Sequence, residues 1–357
     1  MFTISNRDTT KDLKFWSGPW SAWGTVRLLS QGTEIERLDL YGRHHELFGF
    51  QLLPFQDQWT EAAVCGLHGS WDTGMNQLQP RVGRIEKGKS AVVMHKLHLS
   101  LFESKRNLPL RFCPLEVELS LAPASYWIDT ATASGGVLTY SQNYAISDLK
   151  IIYDEVVPDE SIVSSFYAGL LKNQIMSVPV LCAYQFQQTI PTGATSIDVT
   201  ASRAFSKISS VWVSFSGDIL NSDFMQPATP PNGLGITPFI DSGSPPWAPS
   251  VRLSIGGKHF PDPAPADNIP MQYYNLVKTL GYSPNITRDD YISDTYVLVT
   301  DMKRVPFDHG TGISSRSGDL IRIEIKNITA NRATSVHVTM FAYGIVAIRE
   351  AGVNLLN

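Results

Sequence analysis

Apolar residues recur at every second position in short runs along most of the chain, which is the period of a strand with one buried face. Leu115, Val117, Leu119 and Leu121 alternate with Glu116, Glu118, Ser120 and Ala122. Val211, Val213 and Phe215 alternate with Ser210, Trp212 and Ser214, and Ile321, Ile323 and Ile325 with Arg322, Glu324 and Lys326. Val336, Val338 and Met340 do the same with His337, Thr339 and Phe341, while Ile35, Leu38 and Leu40 form a looser set among Glu36, Arg37 and Asp39. Each run is about five to eight residues long and most have Gly, Pro, Ser or Asn nearby. A doubly wound α/β fold would need helices between successive strands. The pattern instead predicts an all-β protein of antiparallel sandwiches with a few short helices.

The clearest helix is predicted over residues 160–172. Pro158 and Asp159 introduce it, Asp159 as N-cap, with Glu160 in the first turn. Ile162, Phe166 and Leu170 recur every four residues beside Val163, Tyr167 and Leu171, giving one broad apolar face, and Asn173 can end it. A weaker helix is predicted over 271–280, before Gly281, and a helical turn over 59–64. Residues 172–179 lead to a fresh series of strands starting near Val180. The junction divides the chain into units 1–178 and 179–357, each predicted to be an antiparallel β-sandwich. Residues 217–249 hold Pro227, Pro230, Pro231, Pro238, Pro245, Pro246 and Pro249 with apolar punctuation by Phe224, Leu234 and Trp247, the mark of an ordered contact loop. A second loop, 304–318, is rich in Gly and Ser. In Ile255-Gly256-Gly257-Lys258 the paired glycines suit a hairpin turn.

Composition sharpens this. The 357 residues are 43% hydrophobic and only 17% charged, against a usual charged share of about 25%. Two cores can be filled, and disorder is excluded. The net charge of -4 argues against a dedicated nucleic-acid binder. The densest basic stretch, 81–106, reads as solvated strand faces. Cys65, Cys113 and Cys182 fit neither zinc spacing nor a disulfide framework and are expected to be buried free thiols in a reducing compartment. The first 13 residues have no apolar signal-like stretch, and no run reaches the ~20 apolar residues of a membrane span. A soluble protein made in the cytosol is expected.

Motifs for chemistry are wanting. GxSxG, GxxxxGK[ST] and a helix-opening GxGxxG do not occur. If they lie on strands, adjacent His44 and His45 point to opposite faces, and so do His95 and His98, so metal binding is not expected. The acidic pairs Asp154/Glu155, Asp159/Glu160 and Asp289/Asp290 suit turns and caps. The sequons at Asn285 and Asn327 require a secretory route for which no signal is visible. No catalytic, cofactor-binding or metal residue is assigned, no cofactor is expected, and the chain is not expected to be an enzyme.

Several segments, taken in order, resemble a known family. Residues 149–160, Leu-Lys-Ile-Ile-Tyr-Asp-Glu-Val-Val-Pro-Asp-Glu, followed by the amphipathic helix, look like the end of the first jelly roll in major capsid proteins of nucleocytoplasmic large DNA viruses, virophages and polinton-like viruses, the adenovirus–tectivirus type. Residues 108–117 resemble that family's LPL strand region. Downstream, 208–213 resembles its VKxxxWV strand, 251–257 its LxLNG hairpin, and Met271-Gln272-Tyr273-Tyr274 the helix that follows. Residues 296–299, 310–316 and 319–325 parallel its YVYSFAL…PSGxxNFSR segment, and 336–348 its closing strand. The helix start carries Ser161-Ile162 where giant-virus members have arginines, and NFSR persists only as Ser314-Ser315-Arg316-Ser317.

The resemblance implies a double jelly roll and a structural role: a homotrimer forming a pseudo-hexagonal capsomer that tiles an icosahedral shell. It implies neighbouring capsomers and minor capsid or penton proteins as partners, a place in the virion after synthesis in the host cytoplasm, and no sequence-specific contact with nucleic acid. Alternatives from other classes are a carbohydrate- or receptor-binding sandwich, such as a spike or lectin-like protein, a minor capsid protein, and a carbohydrate-active enzyme with convergent carboxylates in a cleft.

Overall fold

The structure, a computed structural model, describes residues 1–15, 18–65, 70–72, 77–79, 84–104, 106–128, 140–172, 174–216, 249–260, 267–286, 291, 296–303, 311–315, 320–328, 335–349 and 352–356. The loop 217–249 therefore lies almost wholly outside the described residues, as do Asn173, Asp289, Asp290 and most of 304–318.

The first half carries β1 (Phe2–Asn6), β2 (Leu13–Lys14), β3 (Trp23–Ser30), β4 (Thr33–Asp39), β5 (Ser70–Asp72), β6 (Gln77–Gln79), β7 (Arg84–Ile85), β8 (Ser90–Val93), β9 (Leu115–Leu121) and β10 (Tyr144–Ser147). Its helices are α1 (Tyr41–Glu46), which runs on as a π-helical turn over Leu47–Gln51, then α2 (Phe55–Val64), α3 (Ser100–Glu103), α4 (Ala124–Trp127) and α5 (Glu160–Leu171). Two three-stranded antiparallel sheets, β10-β1-β8 and β4-β3-β9, provide the main walls. Phe2 and Ile4 of β1 meet Val26 and Leu28 of β3 and Leu38 of β4 in one buried cluster. Strand period explains this: residues two apart share a face, so one face of each strand supplies the core.

The second half is a more regular sandwich. Its elements are β11 (Met176–Thr189), β12 (Ser196–Ala201), β13 (Ile208–Ser216), β14 (Ser250–Ile255), β15 (Lys258–Phe260), α6 (Ile269–Leu280), β16 (Val297–Asp301), β17 (Ile321–Lys326), β18 (Ser335–Arg349) and β19 (Gly352–Leu356). One sheet has the order β11-β18-β13-β16, with β19 also pairing β18, and the other the order β12-β17-β14-β15. Apart from the consecutive pairs β14-β15 and β18-β19, neighbours in each sheet come from distant parts of the sequence, as in the Greek-key winding of a jelly roll. Ile321, Ile323 and Ile325 are fully buried while Arg322 and Lys326 face outward, as their alternation predicts. The turn at Gly256 and Gly257 has φ of 55° and 77°, and Ile255 pairs with Lys258. Positive φ at both central residues is the two-residue hairpin geometry that glycine enters without strain. Helix α6 begins two residues earlier than predicted, because the Asn268 side chain accepts a bond from Met271 N at 3.0 Å and Pro270 fits the first turn; it ends at left-handed Gly281.

The two halves are joined by one long ribbon. β11 and β18 pair from Met176↔Ile348 to Thr189↔Ser335 without a register shift. Val336, Val338, Met340 and Ala342 enter the second core, while Val346 and Ile348, on the same side of β18 by strand parity, enter the first. On β11, Val178, which pairs with Val346, and Val180 and Cys182 further along also belong to the first core. The expected junction at 178/179 thus falls inside β11.

Because β18 serves both cores, damage to either should be felt by the whole chain. Ile323→Ala in the second core and Ile348→Ala in the first are each expected to cost about 2–5 kcal/mol and to lower one shared urea transition. Two separated transitions, with only one moved by each substitution, would show that the ribbon does not couple the cores.

Candidate functional site

The most prominent exposed feature is an apolar arm between the rolls. Residues 148–158 pair with no strand among the described residues, although their aliphatic and aromatic content resembles a strand; Lys150 N donates to Met1 O at 2.8 Å and Met1 N to Lys150 O at 3.0 Å. Leu149, Ile151, Ile152, Tyr153 and Val156 are exposed, and Val157 is 83% accessible. The arm leads into α5, where the predicted helix forms. Asp159 occupies its N-cap position, but the Asp159 side chain makes no capping bond. Of the predicted apolar face only Leu170 is buried, whereas Ile162, Phe166, Tyr167 and Leu171 stay exposed. Tyr167 is edge-on to Phe112 at 4.7 Å, with the Arg111 guanidinium 4.9 Å from its ring centre, so one side of the helix rests on the first roll. A contiguous apolar surface of this extent marks a contact site rather than ordinary scatter.

The outer face of the β11-β18-β13 sheet is covered from the first half. Phe48 lies edge-on to both Trp212 (5.2 Å) and Phe341 (5.0 Å). Arg43 Nη2 donates to Phe215 O at 2.6 Å and to Ser214 Oγ at 3.4 Å. Asn285 Nδ2 donates to Gln58 Oε1 at 2.8 Å, so this sequon asparagine helps bind the halves together. Ile313 and Ile208 exchange backbone bonds, and Ser315 Oγ accepts from Phe205 N, placing the segment read as an NFSR remnant on the sandwich wall.

The histidines correct the sequence reading. His44 and His45 lie on helix α1, and His95 and His98 on irregular chain after β8, so the strand argument for their divergence does not hold. Instead His45 stacks on Trp20 at 4.4 Å and lies 4.6 Å from the His98 ring and 5.4 Å from the His95 ring. Burial and the neighbouring His98 and His95 drive His45 well below the usual imidazole range. His95 has both ring nitrogens engaged: Trp23 Nε1 donates to Nε2 at 3.0 Å, so Nδ1 carries the proton and faces Lys96 O at 3.1 Å. Glu103 Oε1 accepts from His98 Nδ1 at 3.1 Å and from Lys96 Nζ at 2.8 Å. Burial pushes the Glu103 carboxyl up, but these two partners outweigh it and hold it at about 2. The signal missed in the sequence was local: a helix of six residues with a glycine and no capping side chain has no periodicity to read.

Cys65, Cys113 and Cys182 are free and buried, as expected, and burial raises all three thiols, Cys182 to about 12. They are poor nucleophiles. A cleft of about 350 Å³ lies between β4, β11 and β19, with Arg203 over the Tyr184 ring at 4.2 Å. Its exposed carboxylates are matched by arginines: Glu34 with Arg27 at 2.8 Å and Asp39 with Arg37 at 3.0 Å. Glu36, also lining the cleft, is buried, and its Oε2 accepts from Ser100 N and Ser100 Oγ, both at 2.7 Å. Burial raises its carboxyl to about 7 despite those bonds. A single buried acid beside arginine-paired partners is not the facing carboxylate pair of a glycosidase.

No family sequence model and no curated protein sequence matches the chain. Solved structures do match. VP54 of PBCV-1, fitted into a reconstruction of the virophage Sputnik, superposes with a TM-score of 0.59 at 10% identity, over 99% of this chain and 87% of that one. The quasi-atomic PBCV-1 capsid gives 0.56 at 11% identity over 99% and 91%. The Faustovirus major capsid protein gives 0.53 at 10% identity over 95% and 74%. The chain has the double jelly-roll fold of viral major capsid proteins, shared at an identity that conveys architecture alone. Among the described residues no helix is long and apolar enough to cross a membrane.

Glu36 sets a pH dependence. A carboxyl raised from 4.5 to about 7 binds its proton more tightly in the folded chain, so its stabilising contribution is complete below pH 4.5 and is lost as pH rises through 7. At that size of shift the loss is about 3 kcal/mol. Glu36→Gln should therefore raise the thermal midpoint at pH 8 and leave it little changed at pH 4.5; equal effects at both values would remove Glu36 as the source.

Proposed function

We propose that this chain is a structural major capsid protein. Three copies associate so that six rolls form a pseudo-hexagonal capsomer, and capsomers tile an icosahedral shell. The observation that carries this is the exposed apolar arm and the outer face of α5, set at the link between two rolls of capsid type. Unpaired aliphatic backbone and side chains at the surface of a monomer favour association, because burying them removes apolar area from water at about 25 cal/mol per Å². A closed threefold ring is heterologous and uses two different patches per subunit, which two non-identical rolls, proposed here as units 1–178 and 179–357, can supply. The role is structural rather than catalytic.

The low net negative charge favours a wall that encloses a genome without gripping it. Minor capsid or penton proteins would complete the vertices of such a shell, and the protein would be made in the host cytoplasm and reside in the virion.

Light scattering of the purified full chain should give three times the monomer mass, and electron microscopy should show six-lobed particles with threefold symmetry. The double substitution Ile152→Asp/Val157→Asp should dissociate the trimer with little change in the thermal midpoint of the monomer. A wild-type chain that is a stable monomer at micromolar concentration would sink the proposal.

A further inference from the structure

One ligand atom from each of His45, Glu61 and His98 lies within 4.8 Å of the other two, and the three come from α1, α2 and the chain after β8. From this cluster we propose a site for a divalent transition-metal ion, of the Zn²⁺ class, held by His45, Glu61 and His98. The reading is independent of the capsid proposal.

Two features beyond proximity point to a cation. First, the proton positions are fixed by neighbours. Glu103 accepts from His98 Nδ1, leaving Nε2 as the lone pair. Lys96 O, an acceptor only, sits 3.1 Å from His45 Nε2, which places the proton there and leaves Nδ1 bare. Second, His45 Nδ1 is fully buried and, among the described residues, has no hydrogen-bond partner. A Cβ built on Gly49 would stand 2.7 Å from His98 Nε2 and 2.9 Å from His45 Nδ1, so both nitrogens lie beside Gly49, where any side chain would crowd them.

The surroundings follow the usual pattern of a metal centre, in which each ligating imidazole gives its other N–H to a carboxylate or carbonyl. Here those partners are Glu103 and Lys96 O. Glu61 Oε1, 4.0 Å from the protonated His45 Nε2, would turn toward Nδ1 to ligate and supplies the negative charge. At metal–ligand lengths near 2.1 Å, tetrahedral ligand atoms stand about 3.4 Å apart, so the trio must draw in by up to about 1.4 Å on binding. The side chains of Glu61 and His98 are 15% and 16% accessible, which gives the ion a path in and leaves a fourth position for water. Two nitrogens and one oxygen suit Zn²⁺ or Co²⁺ over Ca²⁺ or Mg²⁺, which prefer all-oxygen shells. The ion would tie the helical cap of the first roll to the β8 side of its wall.

The test uses the full chain, treated with EDTA, dialysed and titrated with Co²⁺, then with Zn²⁺ against a chromophoric chelator. Expected are one ion per chain, a Co²⁺ visible absorption of low coordination number, and a Zn²⁺-dependent rise in the thermal midpoint. Glu61→Gln and His98→Ala should each weaken binding by at least about tenfold, and Glu103→Gln, which only orients His98, by roughly 10- to 100-fold. If His98→Ala fails to fold, the more accessible Glu61→Gln and Glu103→Gln decide. A wild-type chain that binds no ion at one per chain, or binding unchanged by Glu61→Gln and Glu103→Gln, would overturn the assignment.

Discussion

The structure depends on the antiparallel pairing of β11 with β18. Residues two apart on a strand share a face, and the same face of β18 that seals the second core with Val336 to Ala342 seals the first with Val346 and Ile348. A slip of one residue in this register would turn apolar side chains to solvent at both ends together. Fourteen consecutive pairs hold it in place. The second sheet, β12-β17-β14-β15, has no such double duty; its isoleucines serve only the roll they close.

The same sheet also explains why the halves do not behave as beads on a string. A sandwich normally presents polar residues on its outer faces, yet every residue of β13 is buried. Val211, Val213 and Phe215 face the second core, while Trp212 turns the other way and meets Phe48 and Phe341. Ser210 satisfies the Trp212 indole N–H at 2.8 Å, and Ser214 and Phe215 O receive Arg43. The serines alternating with apolar residues, which in isolation describe a solvated face, are here the polar half of an interface between rolls. The Trp212 indole N–H and Arg43 Nη2 are thus both partnered, which offsets the cost of burying them.

What was legible in the sequence was whatever depends on local period. Ile321, Ile323 and Ile325, the Gly256-Gly257 turn and α6 follow from alternation, positive φ and capping, and the family resemblance arranged them into two rolls. Misreadings arose where local signals are shared by different structures. The stretch 149–157 has the aliphatic and aromatic composition of a strand but, among the described residues, pairs with no strand, and pairing is not a property of composition. Asp159 has the right residue type for a cap without making the bond. His44 and His45 were placed on a strand because helix α1 is too short to show a repeat, and the convergence of His45 with Glu61 and His98 is tertiary, spread over 54 positions of sequence. The burial of Glu36 by Ser100 and the ribbon was hidden for the same reason.

The arm and α5 show what kind of stability this chain has. A helix holds its form in water mainly by packing an amphipathic face, and α5 has most of that face uncovered, resting on the first roll through Phe112 and Arg111. The ribbon and the inter-roll seam suffice to fix both cores within one copy; the arm does not share in either. Exposed apolar side chains are therefore densest, among the described residues, along the arm and α5, where eleven of them fall between Leu149 and Ile175. On the proposed assembly, the residues that hold the cores and those offered for contact are thereby separated in the sequence. Both core clusters are drawn from described residues before 148 and after 175, so substitutions on the exposed side chains of the arm would alter contact without touching either core.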